Sequence, residues 1–213
     1  MSRPSLLLAP LLAACASPSL PEGTGRGLLS HDRTPPEGVP GVQAPRWQPG
    51  DRFVFQRGNV QRLVFHVEPR DDRLLLVDEG SGERQVLATD LTDLGHEVLE
   101  DGEARTAVAL APGDVRYHWP LWVGKRWSCH FLRKVPGHPP LPLLVSYVVE
   151  AAEPVTTPAG RFETLRILRR ATVAAEGTYL ERASLVWYAP EAGIEVRRLE
   201  DGILTELVEL HRQ

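Results

Sequence analysis

The chain has 213 residues, 42% of them hydrophobic and 24% charged, and its formal net charge is −4. This length and composition suit one globular domain with a proper core behind a short leader. A mildly acidic chain lacks the basic surface that nucleic acids require, so no nucleic-acid partner is expected.

The N-terminus has the order of features of an export signal. Arg3 and the α-amino group supply positive charge, residues 6–12 form an apolar run, and two alanines follow. The run falls far short of the roughly 18–20 residues that span a bilayer, so no permanent transmembrane helix is predicted. We therefore expect residues 1–14 to be a cleaved signal peptide.

The tetrapeptide Leu12-Ala13-Ala14-Cys15 resembles the lipobox of bacterial lipoproteins at all four positions. The resemblance covers residues 1–15 and implies that the cut leaves Cys15 as a diacylglyceryl-modified, N-acylated N-terminus. Several acyl chains hold a protein stably at a membrane. The expected localisation is the cell envelope, on the periplasmic face of the outer membrane if the host has two membranes. The alternative is an ordinary secretory cut beside an incidental cysteine.

Residues 15–46 contain six prolines, five glycines and no aromatic side chain. Such a segment buries too little apolar surface to offset its ordering entropy, so a disordered tether between the lipidated cysteine and the domain is predicted. The alternative is that Leu28-Leu29 docks on the domain.

From Trp47 onward, short apolar runs alternate with turn signals, of which Asp101-Gly102 and Asp201-Gly202 are the clearest hairpin turns. About eleven strands and no convincing helix are expected. Residues 47–213 are therefore predicted to be a single antiparallel all-β meander that forms a strongly curved sheet, an open barrel or a sandwich. The later predicted strands cover residues 125–135, 141–152, 162–174, 178–188, 194–200 and 203–211. Residues 90–100 remain unassigned, because Gly95 disfavours a helix there.

Several late strands are apolar on both faces, which differs from a sheet that has water on one side. Leu165 and Ile167 lie on one face of their strand and Phe162 on the other. Two explanations stay open: both faces are packed, or one face lines a cavity for an apolar ligand.

Large aromatic side chains mark the expected core, since tryptophan carries the largest apolar area. The core candidates are Trp119, Trp122, Trp127, Trp187 and Phe162. The segment 47–53 also echoes the segment 122–127, because each has a tryptophan, a glycine turn, a charged residue, an arginine and an aromatic residue. This echo indicates either two related halves or a chance match.

Two further segments, 155–162 and 187–194, resemble the P-A-G-x-F and W-Y-x-P-x-x-G blocks of uncharacterised β-rich bacterial envelope proteins. The segment 120–127 is similar to a third block of that family. The resemblance implies a β-rich fold and no established activity. Its distinctive residues suit turns, since proline cannot donate to a ladder and glycine accepts positive φ. The expected turn residues are Gly124, Pro158, Gly160, Pro190 and Gly193.

No nucleophile elbow, P-loop or zinc-protease motif is present in the sequence. Cys129 and His130 are adjacent on a predicted strand, so their side chains point to opposite faces and cannot form a catalytic pair. His118, His130 and His138 lack close metal-ligand spacing. No catalytic residue, metal or cofactor is therefore predicted.

Two arginine pairs, Arg169-Arg170 and Arg197-Arg198, lie on late strands. One arginine of each pair can line the same side, which would make an anion site; solvated strand edges are the blander interpretation.

The sequence thus predicts a non-enzymatic, lipid-anchored envelope protein that binds an apolar ligand or another envelope component. A scaffolding subunit and an envelope hydrolase with a site assembled from distant residues are the alternatives.

Overall fold

The computed structural model describes residues 23–175 and 178–213, and these form thirteen β-strands. In chain order they are β1 (Gly27–His31), β2 (Arg52–Arg57), β3 (Gln61–Arg70), β4 (Arg73–Asp78), β5 (Arg84–Ala88), β6 (Asp93–Glu100), β7 (Glu103–Asp114), β8 (Arg126–Lys134), β9 (Leu141–Thr157), β10 (Gly160–Ala175), β11 (Thr178–Ala189), β12 (Ile194–Glu200) and β13 (Ile203–His211). Within these residues, no helix has the length and apolar character needed to cross a membrane.

Strands β2 to β13 form one closed antiparallel barrel. Each strand pairs with the next one in the chain, and β13 pairs with β2 through residues such as Leu207 and Phe55. The predicted all-β antiparallel meander is confirmed, and its curvature is complete enough to close the sheet. The extra strands are β1 and β6, and β6 lies in the stretch that the sequence left unassigned.

A buried carboxylate, Asp51, lies directly before β2 and stabilises the closure of the barrel. Its Oδ1 accepts a hydrogen bond from the Gln213 amide at 2.9 Å, and its Oδ2 accepts one from the Gln48 amide at 2.9 Å. Arg212 Nε lies 3.0 Å from the same Oδ2. Asp51 therefore joins the first strand of the barrel to the end of the last one.

The two ends of the barrel differ. At one end, called the hairpin end, lie the turns β2–β3, β4–β5, β6–β7, β8–β9, β10–β11 and β12–β13. The hairpin turns predicted at Asp101-Gly102 and Asp201-Gly202 belong to this end, and all four residues have the positive φ that such tight turns require. The opposite end, called the loop end, carries the long connection 115–125 between β7 and β8.

The hydrophobic core fills the loop end. The connection 115–125 supplies Tyr117 and Trp119, which stack at 5.4 Å between ring centroids, and both rings also contact Tyr188. Farther along, Lys125 is buried, and its Nζ donates to the Pro120 carbonyl at 2.6 Å and lies 4.2 Å from the Trp122 ring centroid. Burial lowers the pKa of Lys125 to about 8.

The two segments that echo each other in sequence are also equivalent in structure. Gly50 donates its amide to Val67 O, and Gly124 donates its amide to Val149 O. The residue after each glycine then accepts a bond from the amide of that same valine, and both glycines have positive φ. Each segment thus starts a six-strand half of the barrel in the same way.

Strand β1 lies outside the ring and pairs with β8. Leu28 pairs with Cys129 and packs on the core, whereas Leu29 is exposed. Strand β1 thus lies within the segment predicted to be a disordered tether, and of the two leucines in the docking alternative, Leu28-Leu29, only Leu28 packs on the domain. The strand forms because β7 pairs with β8 only near Ala111, so the rest of that β8 edge has free backbone groups for β1.

We expect Gly25→Ala to weaken the seating of this segment. A Cβ on Gly25 would lie 2.4 Å from both His130 O and Phe131 Cα, so the segment must move away from β8. The free energy of unfolding should fall by about 1–3 kcal/mol, as for other overpacked contacts, and proteolysis within residues 23–46 should become faster. Thr24→Ala, at the exposed neighbouring position, is the control; equal stability of the two variants would contradict the contact.

Candidate functional site

The interior of the barrel towards the hairpin end is a cavity instead of a packed core. One part has a volume of about 350 Å³ and an apolar wall that contains Phe55, Leu63, Phe65 and Leu76 from β2, β3 and β4. Because side chains alternate between faces along a strand, these residues share the inward face at two-residue spacing within a strand. The sequence left two explanations open. A packed core occupies the loop end of the barrel, and a cavity occupies the hairpin end.

Arg116, from the connection between β7 and β8, reaches the middle of this interior. It borders the cavity described above and a second one of about 350 Å³ lined by residues such as Leu110, Phe131 and Leu143. It also borders two smaller cavities, of about 110 and 50 Å³. Arg116 is thus the residue around which the interior space is arranged.

A buried carboxylate at the end of β7, Asp114, organises one side of the interior. Its Oδ1 accepts a hydrogen bond from Tyr147 Oη at 2.5 Å, and its Oδ2 accepts one from Arg169 Nη2 at 3.0 Å. Arg169 Nε also donates to Tyr147 Oη at 3.1 Å. Burial first, and the charge of Asp114 second, raise the pKa of Tyr147 far above its usual value. The phenol therefore stays protonated and continues to donate.

Cys129 belongs to the same network. Its Sγ donates to Asp114 Oδ1 at 3.5 Å, and the residue is fully buried. Burial, reinforced by the charge of Asp114, raises the pKa of the thiol to about 12. The thiolate that a nucleophile requires is therefore not formed near neutral pH.

A second buried carboxylate, Asp93, opens β6. It accepts hydrogen bonds from Gln85 Nε2 at 2.8 Å and from the Gly95 amide at 3.0 Å. Its Oδ2 lies 3.1 Å from Arg116 Nη2. Gly95 allows this geometry, because a Cβ there would lie 2.1 Å from Val108 O. Asp93 thus holds the arginine that enters the interior.

A β-bulge in β12 adds a third ion pair. Tyr188 pairs with Glu195, whereas Val186 pairs with Arg198, so one extra residue lies between the two pairs on β12. The bulge puts Glu195 and Arg198, three residues apart, on the same inward face, and Arg198 donates to Glu195. Simple alternation along the strand would separate them.

The electrostatics of the interior favour charged arginines. Burial lowers the pKa of Arg116, but the charges of Asp93, Asp114 and Glu195 outweigh that effect and hold the pKa above its usual value. The pKa of Arg169 is likewise raised, since Tyr147 and Asp114 outweigh burial. Both guanidinium groups therefore remain cationic inside the barrel.

The sequence reasoning identified part of this site. Arg169 and Arg198 line the same cavity, whereas Arg170 is exposed and Arg197 bonds Glu206, so each pair splits between faces as predicted. Arg116, Asp93 and Asp114 were missed. The only sequence feature that could have indicated them is that polar residues lie at the ends of apolar strands. This feature does not distinguish a carboxylate that points into the barrel from one in a turn.

The aromatic core candidates lie in different surroundings. Trp127 and Phe162 are buried in the main core, and Trp122 is buried beside Lys125. Trp119 and Trp187 are partly buried, and their indole nitrogens donate to Asp90 O and Glu153 Oε1.

The expected turn residues lie in or next to turns. Pro158 and Gly160 belong to the β9–β10 connection, Pro190 and Gly193 to the β11–β12 connection, and Gly124 to the turn before β8.

The three histidines considered as metal ligands, His118, His130 and His138, are not gathered into a metal site among the described residues. His130 Nδ1 accepts a bond from the Arg26 amide at 3.1 Å, and His118 lies against His31 with ring centroids 4.5 Å apart. Across residues 23–175 and 178–213, no group of three or more His, Cys, Asp or Glu side chains is arranged to hold a metal. The lipobox residues Leu12, Ala13, Ala14 and Cys15 lie outside the described part of the chain, so acylation stays a prediction.

No protein-family model and no curated protein sequence matches this chain. Among solved structures, the chain is similar to the hypothetical lipoprotein YmcC of Escherichia coli, with 11% identity, a TM-score of 0.49, and coverage of 80% of this chain and 90% of that one. A lipoprotein candidate of Parabacteroides distasonis has 13% identity, a TM-score of 0.46, and coverage of 80% and 99%. A candidate exported protein of Bacteroides fragilis with a YmcC-like fold has 14% identity, a TM-score of 0.41, and coverage of 81% and 100%. Likenesses this distant do not identify a ligand or a function.

We expect Asp114→Ala to be strongly destabilising. It leaves Arg169 without its carboxylate and removes the acceptor of Tyr147, and breaking a buried pair costs about 3–5 kcal/mol. Urea unfolding measures the change. Asp72→Ala, at a side chain that is 92% exposed, is the matched control and should change stability by less than about 0.5 kcal/mol. Similar effects of the two substitutions would contradict the buried network.

We expect Cys129 to resist alkylation in the folded protein. In a Cys15→Ser chain, labelling by iodoacetamide near neutral pH should be slower than in urea by roughly a hundredfold or more, because the thiol is buried and protonated. Mass spectrometry of the modified chain follows the rate. Rapid labelling without unfolding would show that the thiol is accessible.

Proposed function

We propose that the protein is a non-enzymatic binding protein of the cell envelope that holds a small amphipathic molecule inside its barrel. The observation that carries the proposal is the cavity of about 350 Å³, which has an apolar wall and charged side chains both at its base and next to the hairpin turns. Cavities of this size and mixed lining are typical of small-molecule sites.

The shape of the barrel supports binding from the hairpin end. The same cavity is also bordered by residues next to the hairpin turns, among them Arg57, Gln61 and Ile203. At the loop end, Tyr117, Trp119 and Tyr188 fill the interior. A ligand would therefore enter through the hairpin end and stop at the charged base.

Several exposed apolar side chains lie at the rim of the hairpin end, among charged turn residues such as Asp101 and Asp201. Val60 is 93% exposed in the β2–β3 turn, and Leu99, Leu180, Ile203 and Leu204 are exposed next to other turns of that end. Exposed apolar side chains mark an interaction site where they form a contiguous patch. Apolar side chains at the rim favour transfer of an amphipathic molecule from a lipid phase into the cavity.

Binding also accounts better than catalysis for the reactive side chains that line the interior. The Cys129 thiol is held protonated, with its pKa raised to about 12, and donates to Asp114. Asp93 and Asp114 each accept several protein donors, which leaves neither as a free base. The groups are arranged to hold one another in position.

The envelope location in this proposal rests on the lipobox. Acylation of Cys15 would place the barrel beside a membrane, where amphipathic molecules are concentrated. The paired β1 would then start the folded domain a short distance from the anchor, since only eleven residues lie between Cys15 and Gly27.

We expect Leu63→Trp to block the cavity, because the indole would project from β3 into the space beside Phe55 and Leu76. The probe is anilinonaphthalene sulfonate, an amphipathic dye, added to the full chain carrying Cys15→Ser. Fluorescence titration should show affinity lower by about tenfold or more, equivalent to about 1.4 kcal/mol or more.

Arg62→Trp is the matched control, because Arg62 is the next residue and its side chain lies on the outer face, paired with Glu209. This control should bind the dye as the unmodified chain does, with both variants melting at a similar temperature. Equal loss in both variants, or loss in neither, would place the dye outside the barrel and refute the proposal.

A further inference from the structure

Arg116 has too few partners for a buried cation. Its Nη2 pairs with Asp93 Oδ2 at 3.1 Å, and its buried Nε has no hydrogen-bond partner. About 30% of its side chain remains exposed inside the barrel. A guanidinium has five N–H donors and buried polar groups normally have partners, so Arg116 has donors that the protein leaves free to bind an acceptor.

Two further arginines face the same place. Arg169 and Arg198 line, together with Arg116, the cavity of about 110 Å³ in the middle of the interior. Arg169 is oriented by Asp114 and Tyr147, and Arg198 by Glu195, so each has some donors committed and others left over. The carboxylates pre-orient the guanidinium groups without consuming all of their N–H donors.

We propose that Arg116, with Arg169 and Arg198, forms a subsite for the oxyanion of an amphipathic ligand whose apolar part lies on Phe55, Leu63 and Phe65. This inference rests on the proposed binding function and names the ligand class: a carboxylate or a phosphate attached to an apolar tail. Guanidinium forks match the geometry of both oxyanions.

The head and tail compartments are adjacent. Arg116 and Arg198 border both the 110 Å³ cavity and the larger cavity with the apolar wall. A single molecule can therefore place its charged end among the arginines while its tail extends towards the hairpin end.

The balance of donors favours an anion over a cation. The carboxylates nearest to the arginines, Asp93, Asp114 and Glu195, already accept hydrogen bonds or ion pairs from the protein. Glu200 also lines the cavity and would repel an anion, so the three arginines face two lining carboxylates, Glu195 and Glu200. With Asp93 and Asp114 included, four carboxylates surround the three arginines, so the argument for an anion rests on the N–H donors that these carboxylates leave free and not on net charge.

The first test compares head groups on one tail. Calorimetric titration of the full chain carrying Cys15→Ser uses decanoate, decyl phosphate, decanol and decyltrimethylammonium. One or both anions should bind on the order of tenfold or more tighter than decanol, and the cation weakest, since a hydrogen bond to a charged group is stronger than one to a neutral hydroxyl. The stronger of the two anions identifies the head group as a carboxylate or a phosphate.

The outcomes separate this inference from the proposed function. If decanol or the cation binds as tightly as both anions, the arginine subsite is wrong while the barrel still binds amphiphiles. If none of the four probes binds, both are wrong.

The second test uses Arg116→Met, which removes the charge and keeps an unbranched apolar stem, and Arg116→Lys, which keeps the charge and loses the fork. Anion affinity should fall by on the order of tenfold or more in the first variant and less in the second, with decanol affinity unchanged. Arg197→Met, on the outer face, is the control. Unchanged anion binding in a folded Arg116→Met chain would overturn the assignment, and the head-group series decides the case if that variant does not fold.

Discussion

Closure of the sheet between β13 and β2 is the constraint on which the rest of the structure depends. An open sheet would leave two long edges with free backbone groups, whereas the ring pairs each of the twelve strands on both sides, and β1 covers the part of the β8 edge that β7 leaves free. Asp51 holds that junction from a buried position through Gln48, Arg212 and the last residue of the chain. Once the ring is closed, a twelve-strand barrel is too wide for its inward side chains to fill, and an internal space follows from the geometry.

What fills that space differs along the barrel axis. At the loop end, the connection 115–125 folds inward and supplies aromatic rings to the packed core. The same connection carries Arg116 into the middle of the barrel, where Asp93 and Asp114 from β6 and β7 meet it. The connection 115–125 therefore fills one end of the barrel with apolar side chains and places the charged side chain of Arg116 at the base of the remaining cavity.

Much of the fold follows from local sequence, and the interior site does not. Asp101-Gly102 and Asp201-Gly202 predict their hairpins because both residues must take positive φ, which these residue types tolerate. The Asp114 network is different, since Tyr147 and Arg169 are 33 and 55 residues away and meet Asp114 only in the folded sheet. The bulge that brings Glu195 and Arg198 to one face breaks the alternation on which strand prediction depends. Strand β1 was missed for another reason: a segment rich in proline and glycine predicts disorder, even where a free strand edge is available to pair with it.

The charged interior also bears on the function of the protein. Buried ion pairs contribute little net stability, because desolvation of the charges offsets most of their attraction, and apolar replacements of similar volume are often as stable. Three arginines and their carboxylates inside a barrel are therefore a poor way to fill space, and a cluster of leucines would serve the fold better. Asp114 is fully engaged by protein donors, so its network is self-contained. Arg116 is not, and the free donor at the centre of the molecule is the feature that stability alone does not explain.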